Sequence, residues 1–113
     1  MTISVILTDF SNNLADEVII ENPESKRCFS YTDNQKCNCE MCIYDGSLCF
    51  FRETEDYLLE LNLNENNYAK IVSQEGEIKL DVKVVDFIQN DDILVVRYIV
   101  SDEEREIKVL YRS

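Results

Sequence analysis

The five cysteines of this chain are the residues whose type and spacing could do chemistry. Cys37, Cys39 and Cys42 fall within six residues, with Cys28 before them and Cys49 after them. Clustered thiolates suit zinc, and Cys28 or Cys49 could complete a set of four ligands. Structural zinc sites usually combine two separated Cys-x-x-Cys pairs, and only Cys39 and Cys42 have that spacing.

Reduced thiols are the interpretation that we favour for these cysteines. Cys28, Cys42 and Cys49 lie in apolar, strand-like stretches, where free cysteine acts as a small buried hydrophobe. Cys37 and Cys39 would lie in a polar loop. The odd number of cysteines argues against a disulfide framework. We therefore expect no bound metal. A metal held by Cys37, Cys39, Cys42 and Cys28 is the first alternative, and a disulfide is the second.

Catalytic arrangements are scarce in the sequence. Without histidine, neither a Ser-His-Asp nor a Cys-His arrangement can form within the chain. Two glycines are too few for a phosphate-binding loop or a dinucleotide fingerprint. Carboxylate pairs such as Asp91 and Asp92 arise by chance among 23 acidic residues. We expect no enzyme, no catalytic residues and no cofactor.

Aromatic side chains and one arginine are the candidates for ligand binding. Tyr57, Phe87 and Tyr98 could line a pocket inside a barrel, although aromatic residues in strands commonly belong to the core. Arg97 lies within the apolar run from Val95 to Ile99. A charge in such a strand must be paired, exposed, or directed into a cavity to meet an anionic group.

The elements that would position these residues read as strands and turns. Asp45-Gly46, between two apolar stretches, predicts a hairpin with a type I′ turn. Alternation of apolar and polar residues predicts strands over 57–63, 78–84 and 107–111, and a run that is apolar on both faces predicts a central strand over 93–100. Ser11 to Asn13 and Asn64 to Asn67 read as turns. Glu17 to Glu21 reads as a strand, with a short helix from Asn13 as the alternative.

The clearest strand also predicts which side chains are buried. After Val84 the apolar residues shift to the other face of the strand, which indicates a bulge. The residues expected to be exposed are Lys79, Asp81 and Lys83. The residues expected in the core are Ile78, Leu80, Val82, Val95, Ile107 and Val109.

Length and charge limit the possible roles further. The 113 residues suit one domain spanning 1–113, and 45% apolar residues suffice for a core. The net charge of −12 argues against nucleic acid and against anionic membranes as partners. No apolar run is long enough to cross a bilayer, and no export signal is visible at the N-terminus, so we expect a cytoplasmic protein.

Several short strands at roughly ten-residue spacing predict an all-β antiparallel protein, either a sandwich or a barrel built as a meander. Asp45-Gly46-Ser47-Leu48, the strand from Gly76 to Lys83 and the stretch from Asp92 to Tyr98 resemble a YwiB-like bacterial family of unknown function. The resemblance covers about the C-terminal two thirds. It implies that the meander closes into a small calycin-like, lipocalin-like barrel, and it supplies no catalytic residues.

Three functions stay open at this point. The first is a noncatalytic barrel that binds a small-molecule ligand in its interior or at its mouth. The second is an acidic module, such as an inhibitor or an immunity protein, that docks on a basic protein partner. The third is a metal- or redox-responsive protein that uses the cysteine cluster.

Overall fold

The computed structural model describes residues 1–63 and 66–112, and these residues form ten strands and no helix. The described part of the chain accordingly contains no helix that could span a membrane. In chain order the strands are β1 Thr2–Asp9, β2 Leu14–Glu21, β3 Cys28–Thr32, β4 Asn38–Tyr44, β5 Ser47–Glu53, β6 Tyr57–Leu63, β7 Tyr68–Ser73, β8 Gly76–Gln89, β9 Ile93–Val100 and β10 Glu103–Arg112.

The strands form one antiparallel sheet in the order β2-β1-β10-β9-β8-β7-β6-β5-β4-β3. From β3 to β10 each strand pairs with the next, as in a meander, whereas β1 pairs with β10 and leaves β2 outside it. The sheet curls into a nearly closed barrel with a gap between its edge strands β2 and β3. Across this gap the Asn34 Nδ2 atom donates a hydrogen bond to the Glu17 carbonyl at 3.1 Å. The predicted all-β meander that closes into a barrel is confirmed.

The core fills the inside of the barrel because alternate residues of each strand point inward. Val5 of β1 pairs with Val109 of β10, which pairs with Leu94 of β9, and all three side chains are completely buried. Other apolar side chains continue this inner face around the sheet, including Phe29, Met41, Leu48, Phe50, Leu61 and Tyr98.

Two hairpin turns differ in a way that the sequence did not predict. Asp45-Gly46 joins β4 to β5 as expected, but only Gly46 has a positive φ (78°), so the predicted type I′ geometry, which requires it at both positions, is wrong. Ser101 and Asp102, between β9 and β10, both have positive φ (51° and 63°) and meet that requirement. The turn predicted at 64–67 falls partly on residues 64 and 65, outside the described residues.

The N-terminal hairpin settles the choice between strand and helix near Asn13. Residues 10–13 form the turn, Asn13 has a φ of 54°, and β2 follows without a helix. The strand predicted over 17–21 is confirmed and begins earlier, at Leu14. In β2 the residues Val18 and Ile20 are half-buried and point inward, which fits an edge strand covered on one face only.

The long strand β8 contains the predicted bulge and one error in the predicted core. The pairing with β9 shifts between Val84 and Asp86, which confirms the bulge. Val82 is buried, and the three polar residues expected outside are exposed. Ile78, however, is 59% exposed, because it lies beside the Gln74-Glu75 turn, where the β7–β8 hairpin ends.

The prediction that Val95 is buried is also wrong. Val95 is half-buried and points outward, whereas Leu94 and Val96 face the core. Because both faces of β9 are apolar, alternation does not indicate which face points toward the core. Ile107 and Val109 are fully buried as predicted, and Leu80 is half-buried against the core.

Candidate functional site

A cavity of about 490 Å³ opens at one end of the barrel, and we call it the mouth cavity. One wall comes from β1, β2, β9 and β10, and the other from β3, β5, β6 and the loop after β3. Its lining includes the side chains of Val5, Leu7, Asp9, Asp33, Phe50, Arg52, Tyr57, Leu59, Tyr98, Arg105 and Ile107.

The floor of the mouth cavity is apolar. Val5, Phe50 and Ile107 are buried there, and Leu7 and Leu59 pack against them. A second hollow of about 220 Å³ adjoins the floor and shares Phe50 and Leu59 with it. These side chains occupy successive inward positions of their strands, so the core pattern itself produces an apolar surface at this end of the barrel.

The first polar pair of the rim joins Arg52 of β5 to Asp33 of the loop after β3. The Arg52 Nε atom donates to Asp33 Oδ2 at 2.8 Å, and Arg52 Nη2 donates to Gln35 Oε1 at 2.6 Å. Asp33 also accepts hydrogen bonds from the backbone N–H groups of Gln35 and Cys37. Burial alone would raise the pKa of Asp33, but the hydrogen bonds from Arg52 and Cys37 outweigh burial and lower it.

The second polar group of the rim is Arg105 of β10. Its Nη2 atom donates to Glu103 Oε2 at 2.6 Å, whereas its Nε atom lies 3.8 Å from Asp9 Oδ2. This Nε atom is buried and makes no hydrogen bond to any described residue. Nearby, burial raises the pKa of Tyr98 to about 12, and Arg105 opposes part of that rise. Arg105 thus keeps one buried donor beside an apolar floor.

Cys39 and Tyr31 lie beside the Asp33–Arg52 pair. Burial, with the nearby Asp33 carboxylate, raises the pKa of Cys39 to about 11, so its thiol stays protonated at neutral pH. Burial and the neighbouring Cys39 also raise the pKa of Tyr31, whose hydroxyl makes no hydrogen bond to the described residues. Neither group is therefore activated as a nucleophile.

The four candidate ligand-binding residues do not come together. Tyr98 and Tyr57 line the mouth cavity, whereas Phe87 packs against the core away from it. Arg97 points to the outer face of the barrel. There it forms ion pairs with Glu106 at 3.1 Å and Glu104 at 3.6 Å.

The cations that do line the mouth cavity are Arg52 and Arg105, and the sequence analysis missed both. Each continues the inward phase of its strand, after Leu48 and Phe50 in β5 and before Ile107 in β10. A cation at an inward position near one end of a strand was the available signal. Because the two strands are not neighbours in the sheet, the sequence did not show that the two residues share a cavity.

The cysteines are arranged differently from the favoured expectation. Cys28 and Cys42 form a disulfide between β3 and β4, so the expectation that both are reduced is wrong. Cys39 points inward and Cys42 outward, as alternate residues of a strand do, so the alternative metal set of Cys37, Cys39, Cys42 and Cys28 is not assembled. No group of three or more His, Cys, Asp or Glu residues in the described ranges is placed to hold a metal ion.

Comparisons with known proteins add little to this geometry. No family model matches the chain, and no curated protein matches it. The structure is similar to the crystal structure of the ywiB protein from Bacillus subtilis, with a TM-score of 0.40 and 12% sequence identity. The similarity covers 99% of this chain and 89% of that one.

Proposed function

We propose that this chain is a noncatalytic, calycin-like barrel that binds one small molecule in the mouth cavity. The single observation that carries the proposal is the buried Nε donor of Arg105 beside an apolar floor. Small-molecule sites are typically clefts of about 300–1,000 Å³ with an apolar lining and a few placed polar groups, and barrel mouths are common places for them. The volume of about 490 Å³ lies in this range.

The charges of the cavity indicate the class of ligand. Arg52 is already neutralised by Asp33, and Arg105 by Glu103 and Asp9. An anionic ligand would meet these carboxylates in a protein whose net charge is −12. A neutral molecule with an apolar body and one acceptor oxygen avoids this repulsion and still accepts a hydrogen bond from Arg105.

Support for a noncatalytic role comes from the groups around the cavity. The chain has no histidine, and the pKa of the buried Cys39 thiol is raised far above neutral pH. General acid–base catalysis needs a group that titrates near the working pH. The rim carboxylates Asp9 and Asp33 both have lowered pKa values and remain ionised at neutral pH.

Two dyes of opposite design test the proposal. Nile red is neutral and carries a carbonyl acceptor, whereas 1-anilinonaphthalene-8-sulfonate is anionic. Nile red fluorescence should show saturable binding, and the anionic dye should bind more weakly. Arg105→Gln should weaken Nile red binding about tenfold, since a hydrogen bond to a charged group contributes about 1.5 kcal/mol or more.

The matched control for this experiment is Arg97→Gln, which removes an arginine of the outer face. It should leave Nile red affinity unchanged. Leu59→Trp, which adds volume at the floor, should abolish binding while circular dichroism keeps the β spectrum. Equal affinities for the wild type, the Arg105 variant and the Leu59 variant would exclude the mouth cavity as the site.

A further inference from the structure

Three cysteines lie side by side on the outer face of three adjacent strands. Cys28 of β3 is paired in register with Cys42 of β4, and Cys42 is paired in register with Cys49 of β5. Register partners share one face of a sheet, so the three side chains form a row across it. Cys28 and Cys42 are joined as a disulfide, and Cys49 is a free, half-buried thiol.

The backbone pairing places Cys42 beside both of its neighbours, Cys28 and Cys49. Its Cα atom lies 4.1 Å from that of Cys28, and the next residue, Ile43, donates its N–H to the Arg27 carbonyl. Because Ile43 bonds toward β3, the N–H and C=O groups of Cys42 point toward β5. Cys42 and Cys49 are therefore a hydrogen-bonded pair, whose Cα atoms lie about 5.5 Å apart. That separation is within the usual range for disulfides.

We propose that Cys28, Cys42 and Cys49 form a thiol–disulfide relay in which the bond on Cys42 moves between its two neighbours. The Cys49 thiolate attacks the Cys42 sulfur, the Cys42–Cys49 bond forms, and the Cys28–Cys42 bond breaks. Cys28 leaves as a thiolate and takes up the proton that Cys49 released. The step neither gains nor loses electrons, so it requires no external oxidant or reductant.

The relay changes which strand is tethered. β3 is an edge strand that pairs with β4 alone, and the Cys28–Cys42 bond holds it at the gap opposite β2. After exchange the tether joins β4 to β5, two strands inside the sheet. Cys28 then becomes a free thiol at an exposed position, where a thiol or disulfide of another molecule can reach it. The edge strand thereby gains a reactive group that the initial disulfide conceals.

Neither of the other two cysteines fits the relay. Cys39 is buried on the inner face of β4, separated from the row by the sheet itself, and Cys37 lies in the loop before β4. The relay also lies on the opposite face from the mouth cavity and does not depend on ligand binding there.

Trypsin digestion distinguishes the Cys28–Cys42 disulfide from the Cys42–Cys49 disulfide. Cleavage after Arg27 and Lys36 places Cys28 alone in the peptide 28–36, while Cys42 and Cys49 share the peptide 37–52. Oxidised protein held at pH 8.5 is sampled over time, alkylated with N-ethylmaleimide, digested without reductant and analysed by mass spectrometry. We expect the peptide 28–36 to appear in alkylated form, together with a 37–52 peptide that contains an internal Cys42–Cys49 bond.

Two variants complete the test. Cys49→Ser should keep the peptide 28–36 cross-linked at every time point. Cys28→Ser, treated with oxidised glutathione, should form the Cys42–Cys49 bond, whereas Cys37→Ser should behave as the wild type. The proposal is overturned if wild-type Cys28 is never alkylated while Cys49 is, because the attacking thiol would then be accessible and yet not exchange. This outcome leaves the function of the mouth cavity unaffected.

Discussion

The Nε atom of Arg105 lies 3.8 Å from the Oδ2 atom of Asp9, in ion-pair range but beyond hydrogen-bond distance. Asp9 instead accepts hydrogen bonds from the side chain and backbone N–H of Asn12, which, with Arg105, lower its pKa. The carboxylate is therefore held by the β1–β2 turn and not by the arginine. This arrangement leaves the buried arginine donor without a hydrogen bond to the described residues, and the proposed ligand site rests on that donor.

Alanine variants of Val82 and Ile78 should show that the inner face of β8 is buried at Val82 and exposed at Ile78. Val82→Ala should destabilise the protein by about 1 to 3 kcal/mol, because a buried side chain loses its apolar contacts. Ile78→Ala, in the same strand with the same inward phase, should change stability by less than about 0.5 kcal/mol. Urea unfolding measures both, and similar losses would contradict the exposed position of Ile78.

Acid should weaken the Asp33–Arg52 pair. The pKa of Asp33 is lower in the folded than in the unfolded chain, so its stabilisation is complete above the unfolded pKa, about 3.9, and is lost as pH falls through the folded value. Asp33→Asn should therefore be less stable at pH 7 and show a smaller loss of stability below pH 4. Urea midpoints across pH test this, with Asp56→Asn, an exposed carboxylate outside the pair, as control. A parallel pH dependence of wild type and Asp33→Asn would contradict the prediction.

The outer-face pair of Arg97 and Glu106 should be energetically coupled. Glu106 is 8% exposed, and its ion pair with Arg97 at 3.1 Å is shorter than the one with Lys108 at 3.8 Å. Removing Arg97 alone leaves a buried carboxylate poorly paired, whereas Arg97→Gln with Glu106→Gln removes both charges. A double-mutant cycle should give a favourable coupling of about 0.5 to 1 kcal/mol that decreases at high salt. Additive effects of the two changes would show that the pair contributes nothing.

The thiol–disulfide relay should accelerate with pH. Burial and the nearby Glu60 carboxylate raise the pKa of Cys49, so the attacking thiolate increases about tenfold per pH unit up to that pKa. The charged group beside the Cys49 thiol is Glu60 of β6, itself paired with Lys70 of β7, and Glu40 of β4 lies beside the Cys42 sulfur. Glu60→Gln should speed the appearance of alkylated Cys28 at pH 7.5. A rate independent of pH between 7 and 9 would contradict thiolate attack.

The fold was largely predictable because period-2 alternation and polar turns carry most of it. Alternation led to wrong predictions at positions where it cannot distinguish a buried side chain from an exposed one. In β9 both faces are apolar, so the sequence does not show that Val95 points outward. In β8 alternation gives the correct face for Ile78 but does not show that this residue lies near the end of its hairpin, where it is exposed.

The candidate sites depend on pairings between distant strands. The Cys42–Cys49 pair follows from the Asp45-Gly46 hairpin alone, because both residues lie at equal distance from the turn. Cys28 was expected in a strand-like stretch, but the sequence did not show which strand it pairs with, so it could not be placed beside them. Likewise, Arg52 and Arg105 meet only after β1 and β10 complete the barrel wall.

The pairing of β1 with β10 has a consequence for how the barrel is assembled in time. Hairpins from β3 to β10 join residues close in sequence, whereas the β1–β10 ladder joins Thr2 to Arg112. Pairing of such distant segments costs the most chain entropy, and contacts of this kind slow folding. The β1–β2 hairpin is therefore expected to dock last. Since Val5 and Leu7 of β1 form part of the cavity floor, docking of this hairpin would also complete the mouth cavity.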